Sequence, residues 1–345
     1  MKKSVKLGIV ACTFASALVA RGEEMFENPV IRCNFPDPTF WTSDDGWHYG
    51  TASGLQTIRR SRDLVTWEDT GVSPLSPDEQ SELTKFSRLF WAPDVIRRGD
   101  TYYLYVTQFV TSDTNRLICA TSTRPEGPFQ FRSVVMENWK YGKKDCAIDA
   151  EVVEDAGKVW LFTGSVAGGV WRTRLTADGL AVDPTAPLEH VAGLIPERDD
   201  RQWIYSHRCY EGSFLYRREG WWYLFVSCGA IKDGTYKLFV GRSRSIDGVF
   251  RDRKGVSLAE AGGEMLLATN PNSDFSGPGH NGDVFTDRTG RTYMFVHSQW
   301  KGCQGSTADW RAGPRCTSLQ ELKWTEDGWP YFECGELRAH ERRPK

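Results

Sequence analysis

The chain lacks a cationic excess. Its 345 residues carry 43 Lys and Arg against 45 Asp and Glu, a formal net charge of −2 with a pI near 6.3. No global basic field draws it to a polyanion, and nucleic-acid binding falls away as a function class. No CxxC pair and no HExxH occurs, so zinc loses its usual ligand spacings. No apolar run reaches the roughly 20 residues a membrane-spanning helix needs, and integral membrane association is not expected. Helix-period patterning of any length is missing as well.

Aromatic residues are abundant: 14 Trp, 12 Tyr and 18 Phe, 13% of the chain. Such a load suits β structure and the recognition of flat, weakly polar ligands. The first residues read as a secretory signal, with Lys2, Lys3 and Lys6 ahead of an apolar stretch from Leu7 to Ala20 and small residues at Ala17, Ala20 and Gly22. Residues 1–22 are expected to be removed, leaving 23–345 as one catalytic domain, secreted or periplasmic. Cys12 follows Ile9-Val10-Ala11 in a weak lipoprotein box, and anchoring there is a minor alternative. Without Cys12, eight of the nine cysteines remain, enough for about 105 full pairings. Cys303 and Cys316, in an irregular Gly-containing segment, are the best candidates for a local bridge, whereas Cys119 and Cys228 sit in apolar runs as buried thiols would.

Five segments share a turn followed by an aromatic strand: Gly46-Trp47-His48-Tyr49, Gly99-Asp100-Thr101-Tyr102-Tyr103, Gly157-Lys158-Val159-Trp160, Gly220-Trp221-Trp222-Tyr223 and Gly290-Arg291-Thr292-Tyr293. The glycines are 53, 58, 63 and 70 residues apart. That spacing fits one four-stranded antiparallel sheet per repeat, and the fold class expected is all-β, a five-bladed β-propeller. A pair of β-sandwiches would give no such regular spacing.

Ahead of each turn stands a polar residue in an apolar or small setting: Asp37, Asp94, Asp149, Glu211 and His280. If each lies on the innermost strand of its blade, four carboxylates and one imidazole converge at one end of the channel. Clustered like charges in a partly dry pocket push pKa values apart and mark functional sites. Singly, Asp37 in Pro36-Asp37-Pro38 and Asp94 in Pro93-Asp94 also suit turns, and Glu211 and His280 suit surface loops. Asp149, isolated in Ala147-Ile148-Asp149-Ala150, is harder to dismiss, because a buried acid without a partner is costly.

The strings Asn34-Phe35-Pro36-Asp37-Pro38, Trp91-Ala92-Pro93-Asp94, Ala147-Ile148-Asp149-Ala150, Tyr210-Glu211-Gly212 and Gly277-Pro278-Gly279-His280 stand in the order and spacing of glycoside hydrolase family 43, which the chain resembles from about Asn28 to Phe332. Val240-Gly241-Arg242-Ser243, Gly262-Gly263 and Trp324-Thr325-Glu326-Asp327-Gly328-Trp329-Pro330 look most like its arabinanases. The resemblance implies a five-bladed propeller and an inverting hydrolase. In it Asp37 is the general base, Glu211 the general acid, and Asp149 the carboxylate that orients the acid and keeps its pKa raised. Inversion needs the base and acid roughly 6.5–9.5 Å apart so that a water fits between base and sugar. His280 matches the axial histidine of arabinanase-like members, which implies a calcium ion (Ca2+) held largely through water. Trp91 and Asp94 are expected to contact substrate, Trp91 as a stacking platform. Ala150 and Ser213 depart from the family pattern, which usually has proline at the first of these positions and at the second follows the acid and its small neighbour with proline. These departures bear on fine positioning.

The implied activity is cleavage of α-L-arabinofuranosyl linkages in plant cell-wall polysaccharide, foremost endo-1,5-α-L-arabinanase, acting on arabinan or on arabinose- or xylose-containing oligosaccharides. An exo-acting α-L-arabinofuranosidase or a β-xylosidase uses the same three carboxylates. A non-catalytic carbohydrate-binding propeller is the reading of a different class. It would keep aromatic platforms with no need of an acid and a base.

Overall fold

The computed structural model describes residues 24–345 except 84, 86–88, 112–113, 142–145, 198–199, 304, 306–308, 310 and 312. The expected signal segment 1–22, with Cys12, lies outside the described residues. Five four-stranded antiparallel sheets follow in chain order, each with its strands in sequential order. Blade 1 begins with Thr39–Thr42, blade 2 with Phe90–Arg98, blade 3 with Glu151–Asp155, blade 4 with Glu211–Arg218 and blade 5 with Phe275–Thr286. These first strands touch their counterparts in neighbouring blades and line the central axis. The five repeat glycines close the turns from first to second strand, at φ +78° for Gly46, +60° for Gly99, +75° for Gly157, +74° for Gly220 and +85° for Gly290. Glycine reaches this left-handed region without the clash a Cβ would cause. The propeller is therefore the architecture, and the paired sandwiches are excluded.

The aromatic strands fill the wedges between blades. Ile58, Phe90, Leu104 and Phe129 pack between blades 1 and 2, and Leu117, Val152 and Leu161 between blades 2 and 3. Trp160, Phe162, Leu215 and Leu224 join blades 3 and 4, and Phe214, Phe225, Met294 and Val296 join blades 4 and 5. Between blades 5 and 1 lie Phe35, Phe40, Tyr293 and Phe295, with the Phe40 and Phe295 rings stacked 3.8 Å apart. Closure at this last seam also uses the N-terminal segment. Ile31 pairs with Thr317, and the Asn28 amide donates to the Leu319 and Arg338 carbonyls and accepts from the Leu319 N–H. Cys303 and Cys316 form the expected disulfide across the segment between the second and third strands of blade 5. Cys119 and Cys228 are buried thiols, as their apolar runs implied. Among the described residues three short α-helices, Pro77–Leu83, Asn138–Tyr141 and Arg201–Ser206, occupy connectors between blades. Periodicity does not reveal helices of four to seven residues.

Polar latches run around the axis. Thr39 Oγ1 of blade 1 accepts the Val95 N–H of blade 2 (3.1 Å), and Asp94 of blade 2 accepts the Val152 N–H of blade 3 (2.9 Å). Glu151 of blade 3 accepts the Leu215 N–H of blade 4 (3.0 Å), and Asp283 of blade 5 accepts the Phe40 N–H of blade 1 (2.7 Å). Blade 4 carries Phe214 at the matching position and joins blade 5 through apolar packing. Burial raises all three carboxyls: Asp283 to about 7, Glu151 well above the usual range, and Asp94 likewise, the latter two raised further by neighbouring acids in the channel. The amide bonds work in the opposite direction without overcoming burial.

A carboxyl whose folded pKa is raised binds more protons folded than unfolded between about pH 4 and its folded pKa, so its contribution to stability falls as pH climbs through that interval. We expect a higher melting temperature near pH 5 than near pH 8. Asp94→Asn, which keeps an acceptor oxygen for Val152 and removes the charge, should flatten that slope. Melting curves of both proteins across pH 5–8 check this, and parallel slopes would contradict it.

Candidate active site

Within each first strand or two residues ahead of it, one residue at the channel mouth turns left-handed. Asp37 has φ +50°, Ala92 +42°, Asp149 +53°, Gly212 +58° and His280 +37°. Four of these are not glycine, and such conformations cost about 1–3 kcal/mol each unless the surroundings impose them. Here each N–H is received by a side chain of the preceding blade: Asp37 by His297 Nδ1 (3.1 Å), Ala92 by Ser53 Oγ (2.7 Å), Asp149 by Thr107 Oγ1 (3.3 Å), Gly212 by Asp149 Oδ2 (3.2 Å) and His280 by Ser227 Oγ (2.8 Å). This upper ring lies at the channel mouth. It aims the side chains of Asp37, Asp149 and His280.

The expected series Asp37, Asp94, Asp149, Glu211 and His280 is thus not one structural position. Asp37 and Asp149 match Ala92 and Gly212, Glu211 precedes its left-handed residue, and Asp94 lies two residues farther along its strand in the lower ring of latches. Asp94 is sunk in the channel and bonded to the Val152 amide, a blade-joining place rather than the sugar-facing one expected of it. Trp91 does stand at the mouth. Its ring is 44% exposed and leans edge-on against Phe109, with centroids 4.5 Å apart.

Ser53 Oγ donates to Asp37 Oδ2 at 2.7 Å and the Arg315 guanidinium donates to Oδ1, while His280 Nδ1 lies 3.4 Å and His297 Nδ1 3.2 Å from Oδ1. Burial opposes the charged form, yet Arg315 first, then His280, hold this carboxyl well below the ordinary range. Burial also lowers the His297 pKa, to about 3, with Arg315 adding to the effect, so the imidazole is neutral and can accept the Asp37 N–H. Glu211 is held from both sides: Ser165 Oγ donates to Oε2 (2.8 Å) and Tyr236 Oη to Oε1 (2.7 Å). The Tyr236 ring stacks on His297 with centroids 5.7 Å apart. Asp37, His297, Tyr236 and Glu211 therefore form one chain of contacts across the mouth, and Asp149 joins it through Gly212.

Two glycines permit this closeness. A Cβ on Gly212 would come within 3.0 Å of the His280 ring, and one on Gly279 within 2.4 Å of the Tyr236 ring. Of the two departures noted in the sequence, Ala150 is buried, and Ser213 is buried with an Oγ that has no partner. Sequence reasoning missed Ser53, Ser165, Tyr236, His297 and Arg315. His297 was the most findable, as an imidazole within the apolar strand Thr292–Trp300.

His280 brings one imidazole to the mouth. Among the described residues no three His, Cys, Asp or Glu side chains are grouped to share an ion. The buried Asn281 Oδ1 and His297 Nε2 have no protein partner, which suits water-filled space. The fit is to a hydrated cation held through His280.

The model of "Glycosyl hydrolases family 43" matches residues 26–330. The chain is 28% identical to the extracellular exo-alpha-(1->5)-L-arabinofuranosidase of Cellvibrio japonicus over 88% of each chain. It is 30% identical to an extracellular endo-alpha-(1->5)-L-arabinanase of Bacillus subtilis over 70% of this chain and 75% of that one. Among solved structures, the Cellvibrio cellulosa alpha-L-arabinanase complexed with arabinohexaose superimposes with a TM-score of 0.70 at 23% identity, covering 88% of this chain and 96% of that one.

Tyr236→Phe removes one of the two hydroxyls that hold Glu211 and keeps the ring on His297. A hydrogen bond typically contributes about 0.5–1.5 kcal/mol, so kcat should fall about 2- to 10-fold with KM changed less than about twofold. Steady-state kinetics check this; an equal rise in KM with kcat unchanged would assign Tyr236 to substrate binding.

Proposed function

The chain belongs to glycosyl hydrolase family 43, an inverting family, and from that membership we propose that it is an extracellular endo-1,5-α-L-arabinanase. That it is a glycoside hydrolase acting on arabinose-containing substrate follows from its family and relatives. The catalytic roles rest on one observation above the rest, Asp37 and Glu211 meeting at one mouth in different surroundings, and the endo mode on likeness to the endo-acting relatives. Asp37, kept ionised chiefly by Arg315, activates water as general base. Glu211, oriented by Ser165 and Tyr236, delivers the proton to the leaving oxygen. Asp149 secures the acid's strand through the Gly212 amide. Trp91 offers its exposed face to a furanose ring.

Extracellular action is supported by relatives from Cellvibrio, Thermotoga and Bacillus that are named extracellular. Among the described residues no helix is long and apolar enough to cross a membrane. An exo mode is the second reading, favoured by the full-length likeness to the Cellvibrio exo-enzyme. A calcium ion at the mouth would be held by His280 through water and would supply positive charge near the reacting sugar.

Asp37→Asn and Glu211→Gln should each lower hydrolysis of debranched arabinan by at least about a thousandfold with melting temperature within a few degrees of the parent, measured by reducing-sugar release. Near-parental rates in either variant would overturn the assignment. Oligosaccharides of mixed length in the first minutes support the endo mode, whereas a single small product supports the exo mode. Proton NMR of the released sugar should show inverted configuration. Chelator should slow turnover several-fold, with calcium restoring it; chelator-indifferent activity would remove the ion from the site.

A further inference from the structure

Strands within each blade alternate in direction, so the turns between first and second and between third and fourth strands gather on the face opposite the catalytic mouth. Glu211 and the turn at Gly220 end the same eight-residue strand, which at about 3.3 Å per residue separates the two faces by roughly 25 Å. On that back face, between blades 4 and 5, lies a pocket of about 440 Å³ whose lining includes Trp221, Arg242, Arg244, Arg251, Arg253 and Trp329.

The guanidiniums are ordered by the indoles. Arg242 sits 4.2 Å from the Trp221 ring and 4.3 Å from the Trp329 ring, Arg244 sits 3.6 Å from Trp221, and Arg253 sits 5.6 Å from Trp329. Stacking holds each plane while leaving its N–H edge available, the geometry that receives a carboxylate bidentately. The Arg242 stack by itself serves the fold, since Trp329 is buried and Arg242 also donates to the Asp327 carbonyl. The rim arginines are not needed for that. Among the described residues, the Arg244 guanidinium hydrogen-bonds only the Gly220 carbonyl, at 3.5 Å, and the Arg251 guanidinium only the Gly255 carbonyl.

The acids nearby leave a cationic surplus. Asp252 is committed to the amides of Lys254, Val256 and Gly263, and Asp327 accepts from the Thr325 hydroxyl and lies 3.5 Å from Arg253. Four arginines thus face two carboxylates in the lining. The larger back-face pocket between blades 1 and 2 is the opposite case: Arg97 pairs with Asp44 and Arg124 with Glu126, and acids outnumber arginines there. The chain as a whole is slightly acidic, so the surplus between blades 4 and 5 is local.

We propose that this pocket binds a uronate-bearing polysaccharide. Spaced carboxylates along one chain match Arg244, Arg251 and Arg253, and the exposed Val249 and the Trp221 edge offer apolar surface to sugar C–H groups. The inference rests on the reading of the protein as a wall-polysaccharide hydrolase. There a second attachment to an acidic part of the polymer raises the local concentration of neutral arabinan at the mouth.

Native affinity electrophoresis with polygalacturonate in the gel tests this. The parent protein should be retarded, less so at high salt, and Arg244→Ala/Arg253→Ala should bind at least about tenfold more weakly, with the same melting temperature and the same rate on debranched arabinan. No retardation of the parent, equal retardation of the variant, or displacement by inorganic sulfate as readily as by oligogalacturonate would each overturn the proposal. Loss of arabinan hydrolysis in the parent with polygalacturonate binding intact would count against the catalytic reading alone.

Discussion

The left-handed conformation of the residue that each first strand carries at the channel mouth, within the strand or just ahead of it, is the constraint on which the site depends. It is unfavourable for aspartate, alanine and histidine, and it persists because a side chain of the preceding blade receives the N–H at each of the five positions. Deeper in the channel, four side-chain latches run in the same direction around the axis. Blade order and site geometry are therefore one problem. Asp149 shows this most directly: its backbone is held by blade 2 while its carboxylate holds blade 4.

Electrostatics divides the channel by depth. At the mouth, Asp37 is ionised because Arg315, with His280 beside it, outweighs burial. Farther in, Asp94, Glu151 and Asp283 have amide donors but no cation of their own, and burial favours their neutral forms. A protonated carboxyl can still accept an amide, so the latches do not need charge to hold. The same residue type thus serves chemistry at one level and architecture at another, according to its partners.

The two faces of the disc are also distinct. The mouth gathers connectors between blades, including the three short α-helices, and the loop bridged by Cys303 and Cys316. The back face carries tight turns and stacked arginine–indole pairs. A polymer engaged on both faces would meet a neutral, aromatic and acidic site on one side and a cationic one on the other.

Much of this was legible from residue order alone. Gly–aromatic hairpins at intervals of 53 to 70 residues determine five blades, because a turn glycine and an aromatic strand are local signals with a local cause. The same order singled out Asp37, Asp149, Glu211 and His280, and the bridge between Cys303 and Cys316. Depth was not legible: Asp94 reads like Asp37, yet two residues along a strand carry it from the mouth to the lower ring. Nor were Arg315, His297, Tyr236, Ser53 and Ser165, whose roles arise from contacts between different strands, most of them far apart in sequence. Residue order determined the repeat and its acids; only closure of the ring decided which acids share a site, because that depends on which blade stands beside which.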